Sequence, residues 1–119
     1  LIDDTYNASP NSFFVAIDVL MSFSGMRVLI AGDMKELGQE STSAHALVGK
    51  YAAIAGVDEF WALGEQSRFA VHAFGDNARH FATKSDLVAA CKEIASNDTV
   101  FLVKGSRDTQ METIVSELT

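Results

Sequence analysis

The chain has 119 residues, 48% hydrophobic and 21% charged, the balance of one globular domain rather than a disordered or collagen-like polymer. No apolar run approaches the roughly 18 residues of a membrane span, and no basic-then-apolar leader is present, so no membrane partner and a cytoplasmic setting are expected. Nine Lys and Arg against sixteen Asp and Glu give a net charge of −7, which repels polyphosphate backbones and argues against nucleic acid as a partner.

Taken in order, Leu1 to Asp4 reads as the end of a strand. Ser12 to Phe23 places Phe13, Phe14, Ile17, Leu20 and Met21 at helical spacing, with Pro10 near the start where proline is tolerated. Met26–Ala31 is a short apolar run ending in Gly32-Asp33, as a strand buried on both faces should be. Thr42 to Ala55 is amphipathic, and Glu59–Leu63 is a second buried strand ending in Gly64. Gln66 to Phe74 follows as a short helix, Arg79 to Thr83 as a weaker strand, and then a helix capped by Ser85 that carries Leu87, Val88, Cys91 and Ile94. Thr99–Val103 ends in Lys104-Gly105, and Gln110 to Leu118 closes the series. Cys91 is the only cysteine; it can form no internal disulfide and reads as a buried, inert thiol.

This alternation predicts an α/β fold: a three-layer α/β/α sandwich around a mostly parallel, Rossmann-like sheet of five to six strands, in one domain spanning 1–119. Ligands of such sheets sit beyond the carboxyl ends of the strands. That selects the loops at residues 3–10, 32–38, 64–67 and 104–107. Gly32, Gly64 and Gly105, each following a strand, permit tight turns and close approach of a ligand.

Several chemistries are excluded. There is no G-x-x-x-x-G-K-[ST] to cradle a triphosphate and no G-x-G-x-x-G after the first strand. No G-x-S-x-G supplies a nucleophile elbow, and His45, His72 and His80 fall on different elements, against a zinc site. A phosphoacceptor receiver module would need an aspartate after Phe60-Trp61-Ala62-Leu63, where Gly64 stands. No catalytic residues are expected in this domain alone.

Three blocks carry a resemblance. Leu1-Ile2-Asp3-Asp4-Thr5-Tyr6-Asn7-Ala8-Ser9-Pro10, Gly32-Asp33-Met34-Lys35-Glu36-Leu37-Gly38 with Ser43, His45 and Gly49, and Val103-Lys104-Gly105-Ser106-Arg107 with Met111-Glu112 follow one another in family order. Together they resemble the C-terminal domain of the Mur ligases, nearest to the branch that adds D-alanyl-D-alanine. Ser9 departs from that pattern, which usually has asparagine there. Sister Mur ligases and folylpolyglutamate synthetases would share the fold but should differ in these blocks.

The resemblance implies the third of three domains of a monomeric ligase. Its partners would be UDP-MurNAc-tripeptide, D-Ala-D-Ala, ATP and the other domains of the same chain. ATP and Mg2+ would be bound mainly by a central domain that precedes Leu1. It further implies that Asp4 or Asp3 accepts hydrogen bonds from the ATP ribose and that Tyr6 and Asn7 flank the nucleotide or dipeptide. Lys104, Ser106 and Arg107 would line the same cleft, and Asp33 and Glu36 would meet the dipeptide's ammonium. Plainer roles stand beside these: Asp4 capping a turn, Asp33 capping the helix after its own strand, Lys104 solvated at a strand end, Tyr6 anchoring its loop, Arg107 paired with Glu112, and His45 with no chemical role.

Overall fold

Five short strands lie side by side, all parallel, in the order β1-β5-β2-β3-β4. They are β1 (Ile2–Asp4), β2 (Met26–Ala31), β3 (Glu59–Leu63), β4 (Ala78–Phe81) and β5 (Thr99–Lys104). Between and after them run α1 (Pro10–Met21), α2 (Ser41–Ala55), α3 (Ser67–Phe74), α4 (Lys84–Ile94) and α5 (Glu112–Leu118). The structure is a computed structural model and describes residues 1–5, 9–106 and 109–119.

The strand order explains the layering. The chain moves one way along the sheet from β1 through β2 and β3 to β4, then returns to insert β5. Right-handed crossovers put the helices of the forward steps on one face and the returning α4 on the other. The core divides accordingly. Leu29, Ala31, Phe60, Ala62 and Leu102 pack against α1, α2 and α3. Their strand neighbours Val28, Ile30, Trp61, Phe101 and Val103 pack against α4 and α5. The central strands are therefore apolar on both faces along their middles, Val28–Ala31, Phe60–Leu63 and Val100–Val103, the continuous pattern visible in the sequence.

Element boundaries differ from the sequence reading where capping intervenes. Helix α1 starts at Pro10 because Ser9 and Ser12 form a reciprocal capping box; the serine at that position is thus spent on the helix start. Ser85 does not cap α4. Thr83, in extended backbone, does so by accepting the Asp86 N–H at 3.1 Å, and Ser85 lies inside the helix. Helix α5 begins two residues later than expected, because Gln110 takes φ 53°, outside the helical region. Among the described residues no helix is long and apolar enough to cross a membrane.

Cys91 is fully buried, and burial pushes its thiol up to about 12 from 9.0. The unfolded thiol ionises first, so its contribution is intact below pH 9 and is lost as pH rises from there towards 12. We expect thiol reagents to modify Cys91 only at the rate of global opening. Urea melts should show stability falling by on the order of 1 kcal/mol from pH 8 to pH 10, with Cys91→Val abolishing that component.

Candidate functional site

Because every strand runs the same way, all five carboxyl ends open on one edge of the sheet. Asp4 and Lys104 are register partners on β1 and β5, and Lys104 is in turn level with Ala31 of β2. The connection leaving β5 passes to the α5 face, while those leaving β1 and β2 pass to the opposite face. Diverging connections of this kind open a crevice at the strand ends. The loops that start at Thr5, Gly32 and Gly105 leave this common edge side by side.

Lys104 is the least expected residue here. Its side chain is 1% exposed, and its ammonium donates to Asp4 Oδ2 at 2.8 Å. The same ammonium lies 5.4 Å from the centre of the Phe13 ring, within cation–π range. A solvated strand-end lysine is therefore overturned: burial between strands would leave the charge unmatched without this pairing. Asp4 remains 37% exposed, and its Oδ1 has no hydrogen-bond partner among the described residues. Asp3 points to the other side of the strand and accepts Thr5 Oγ1–H at 2.8 Å. Ser106 Oγ is buried with no hydrogen-bond partner among the described residues, an arrangement that native structures rarely keep without a purpose.

Asp33 caps a helix, though not the one after its own strand. Its Oδ1 accepts Ser67 N–H at 2.8 Å and Ser67 Oγ–H at 2.7 Å, and its Oδ2 accepts Gln66 N–H at 3.2 Å. The carboxylate of β2's exit thus satisfies the N-terminus of α3, which follows the neighbouring strand, a favourable place for negative charge. Gly64, at φ 104°, lies so close beneath Asp33 that any Cβ there would collide with the carboxylate.

His45 extends the same network. Met34 N–H donates to Nε2 at 3.0 Å, so the ring proton sits on Nδ1, which donates to Ser41 O at 2.7 Å. Ser41 Oγ–H then donates to Gln66 Oε1 at 3.0 Å. The ring is 2% exposed. These bonds fasten the 32–37 loop to the starts of α2 and α3, so His45 has a definite structural task, one that is compatible with its having no chemical role.

A cavity of about 280 Å³ opens at the exits of β2, β3 and β4. Gly32, Asp33 and Gly64 form part of its floor, and Lys35, Lys84 and Met111 part of its walls. Met111 is 1% exposed and covers Gly32 and Gly105, where a Cβ would come within 2.8 and 2.5 Å of its Cγ. The close approach that these two glycines permit is thus to Met111, the residue just before α5.

Of the residues singled out from the sequence, Asp3, Asp4, Lys104 and Ser106 gather at the β1–β5 exits, and Asp33 lies at the exit of β2, the next strand along. Glu36 is exposed on the same loop as Asp33, at φ 62°. Tyr6, Asn7 and Arg107 lie outside the described residues, as does any pairing of Arg107 with Glu112. Sequence reasoning missed Lys84, which no motif marks and which only the return of α4 brings to this edge, whereas Met111 stands in the third block without a role having been read for it. Among the described residues no three His, Cys, Asp or Glu side chains converge to hold a metal ion, and no Mg2+ site is assigned to them.

A parallel α/β sheet with its polar groups gathered on one strand-exit edge defines a Rossmann-like ligand-binding domain. The chain belongs to the Mur ligase family: the model of the family's domain described as "Mur ligase, glutamate ligase domain" matches residues 1–107. It is 42% identical over 120 residues to the UDP-N-acetylmuramoyl-tripeptide–D-alanyl-D-alanine ligase of Escherichia coli (strain K12), covering 99% of this chain and 26% of that protein. The Bacillus subtilis (strain 168) enzyme of the same name is 34% identical over 125 residues, with 99% and 27% covered. A crystal structure of MurF from Acinetobacter baumannii superposes with a TM-score of 0.84 at 32% identity, covering 96% of this chain and 26% of that one. MurF ligase from Thermotoga maritima, solved in complex with ADP, shares the fold at a TM-score of 0.85 and 23% identity, again over 96% and 26%. The chain spans about a quarter of the length of the curated relatives it matches.

Proposed function

We propose that this chain is the C-terminal, third domain of a monomeric, cytoplasmic ATP-dependent ligase that joins D-Ala-D-Ala to UDP-MurNAc-tripeptide. The observation that carries this reading is the common edge on which the three family-like blocks converge, with Asp4 and Lys104 as register partners at its centre. In the reaction, a tripeptide carboxylate oxygen attacks the γ-phosphorus of ATP, giving an acyl phosphate and ADP. The dipeptide's amine then attacks the acyl carbon, loses a proton and expels phosphate.

Each rim group has a task suited to its chemistry. Asp4 would accept from the ribose hydroxyls through the oxygen that Lys104 leaves open, with Asp3 as the alternative acceptor. Lys104 would act through Asp4, fixing its carboxylate and adding positive potential to the cleft. Ser106 Oγ–H would donate to a ligand oxygen, with Arg107 beside it in sequence, while Tyr6 and Asn7 flank the nucleotide or dipeptide. Glu36, exposed at the rim, would meet the dipeptide's ammonium. Asp33, already holding three donors, would serve chiefly to shape the loop that carries Glu36. The phosphate cradle and Mg2+ would belong to the central domain. Closure of this rim over them would align amine and acyl phosphate and exclude water.

The whole polypeptide should convert UDP-MurNAc-tripeptide, ATP and D-Ala-D-Ala to the pentapeptide product, ADP and phosphate. This chain alone should hydrolyse no ATP. Hydrolysis by the clean chain would overturn the reading. A whole enzyme that rejects D-Ala-D-Ala but takes a single amino acid would move it to a sister ligase.

A further inference from the structure

We infer that Lys84 reads the free carboxylate of the incoming dipeptide, seated in the cavity at the exits of β2, β3 and β4; this rests on the function proposed above. At about 280 Å³ the cavity falls just below the roughly 300–1,000 Å³ of sites for drug-sized ligands, a size for a dipeptide rather than a nucleotide. Among the described residues its charged lining is Lys35, Lys84 and Asp33. Asp33 is 6% exposed and already accepts three hydrogen bonds from Gln66 and Ser67. Two cations against one internally matched carboxylate leave the space positive and complementary to an anion.

Of the two lysines, Lys84 is the better placed to clamp. It is half-buried, and its Nζ donates to Gln110 O at 2.9 Å. That tether fixes the ammonium above the cavity and leaves two of its three protons for a ligand. Lys35 is exposed and makes no hydrogen bond among the described residues, so it adds potential without geometry. Leu63, Ala82 and Met111 supply apolar wall for two alanine methyl groups. The resulting orientation suits the chemistry. The carboxylate lies towards β3 and β4, and the amine points back to the β1–β5 exits, where the nucleotide and acyl phosphate would sit.

The test uses the whole ligase with D-Ala-D-Ala and its C-terminal amide, which lacks the negative charge. A charge-assisted contact of this kind predicts that the wild type prefers the acid by about 10- to 100-fold in KM. Lys84→Met should raise the KM for the acid by that factor, leave the KM for the amide and for ATP unchanged, and so erase the preference. Lys84→Arg should restore part of it. Equal weakening of acid and amide by Lys84→Met would mean that Lys84 acts only through Gln110, and a preference that survives the substitution would overturn the inference outright. A wild-type ligase that forms no product from D-Ala-D-Ala would instead overturn the proposed function, and this inference with it.

Discussion

Lys104→Ala should destabilise the domain by about 2–4 kcal/mol, seen as a lower urea midpoint at unchanged slope. Two losses combine. The substitution removes a long side chain that is 1% exposed and packed beside Phe13, and it strips Asp4 of its partner at 2.8 Å. Breaking a buried ion pair costs roughly 3–5 kcal/mol, but Asp4 is 37% exposed and water softens its isolation. Lys104→Met keeps most of the buried stem and should recover about half of the loss. If alanine and methionine are equally mild, the ammonium is not held as described.

Gly49→Val should be at least as damaging, by about 3 kcal/mol or more, with a fall in melting temperature on the order of 10 °C. Gly49 is buried on α2 where that helix crosses α3, and a Cβ there would collide with the backbone carbonyl of Ala70. Backbone cannot swing aside as a flexible side chain can, so the two helices must separate. Separation would shift the start of α3, whose amides of Gln66 and Ser67 hold Asp33. Rim geometry should therefore suffer along with stability. Differential scanning calorimetry of the variant, with Gly49→Ala as the lesser lesion, checks the ranking.

The layered fold was legible because its central strands carry nearly continuous apolar runs and its helices repeat on one face. What the sequence concealed depends on pairing across distance. Lys104 looks like any strand-end lysine until β1 is laid beside β5, bringing Asp4 to it from the far end of the chain. Asp33 could be read as a cap, but nothing local says that it caps α3 rather than α2, since that follows from the adjacency of β2 and β3. His45 was set aside because its partners, Met34 N–H and Ser41 O, are backbone groups and carry no residue signature. Strand β4 gave a weak signal because it is an edge strand, with Arg79 and His80 exposed. The cavity walls from α4 and α5 were invisible for the same topological reason, as they arrive only through the single backward step of the chain.

The uniform direction of the strands leaves the opposite margin of the sheet with connections only. The turns around Gly25, Gly56 and Gly75 lie there, away from every group discussed for binding. A fluorophore attached through Asp76→Cys, on the exposed α3–β4 turn, would thus track reorientation of the domain as a reporter that leaves the chemistry undisturbed.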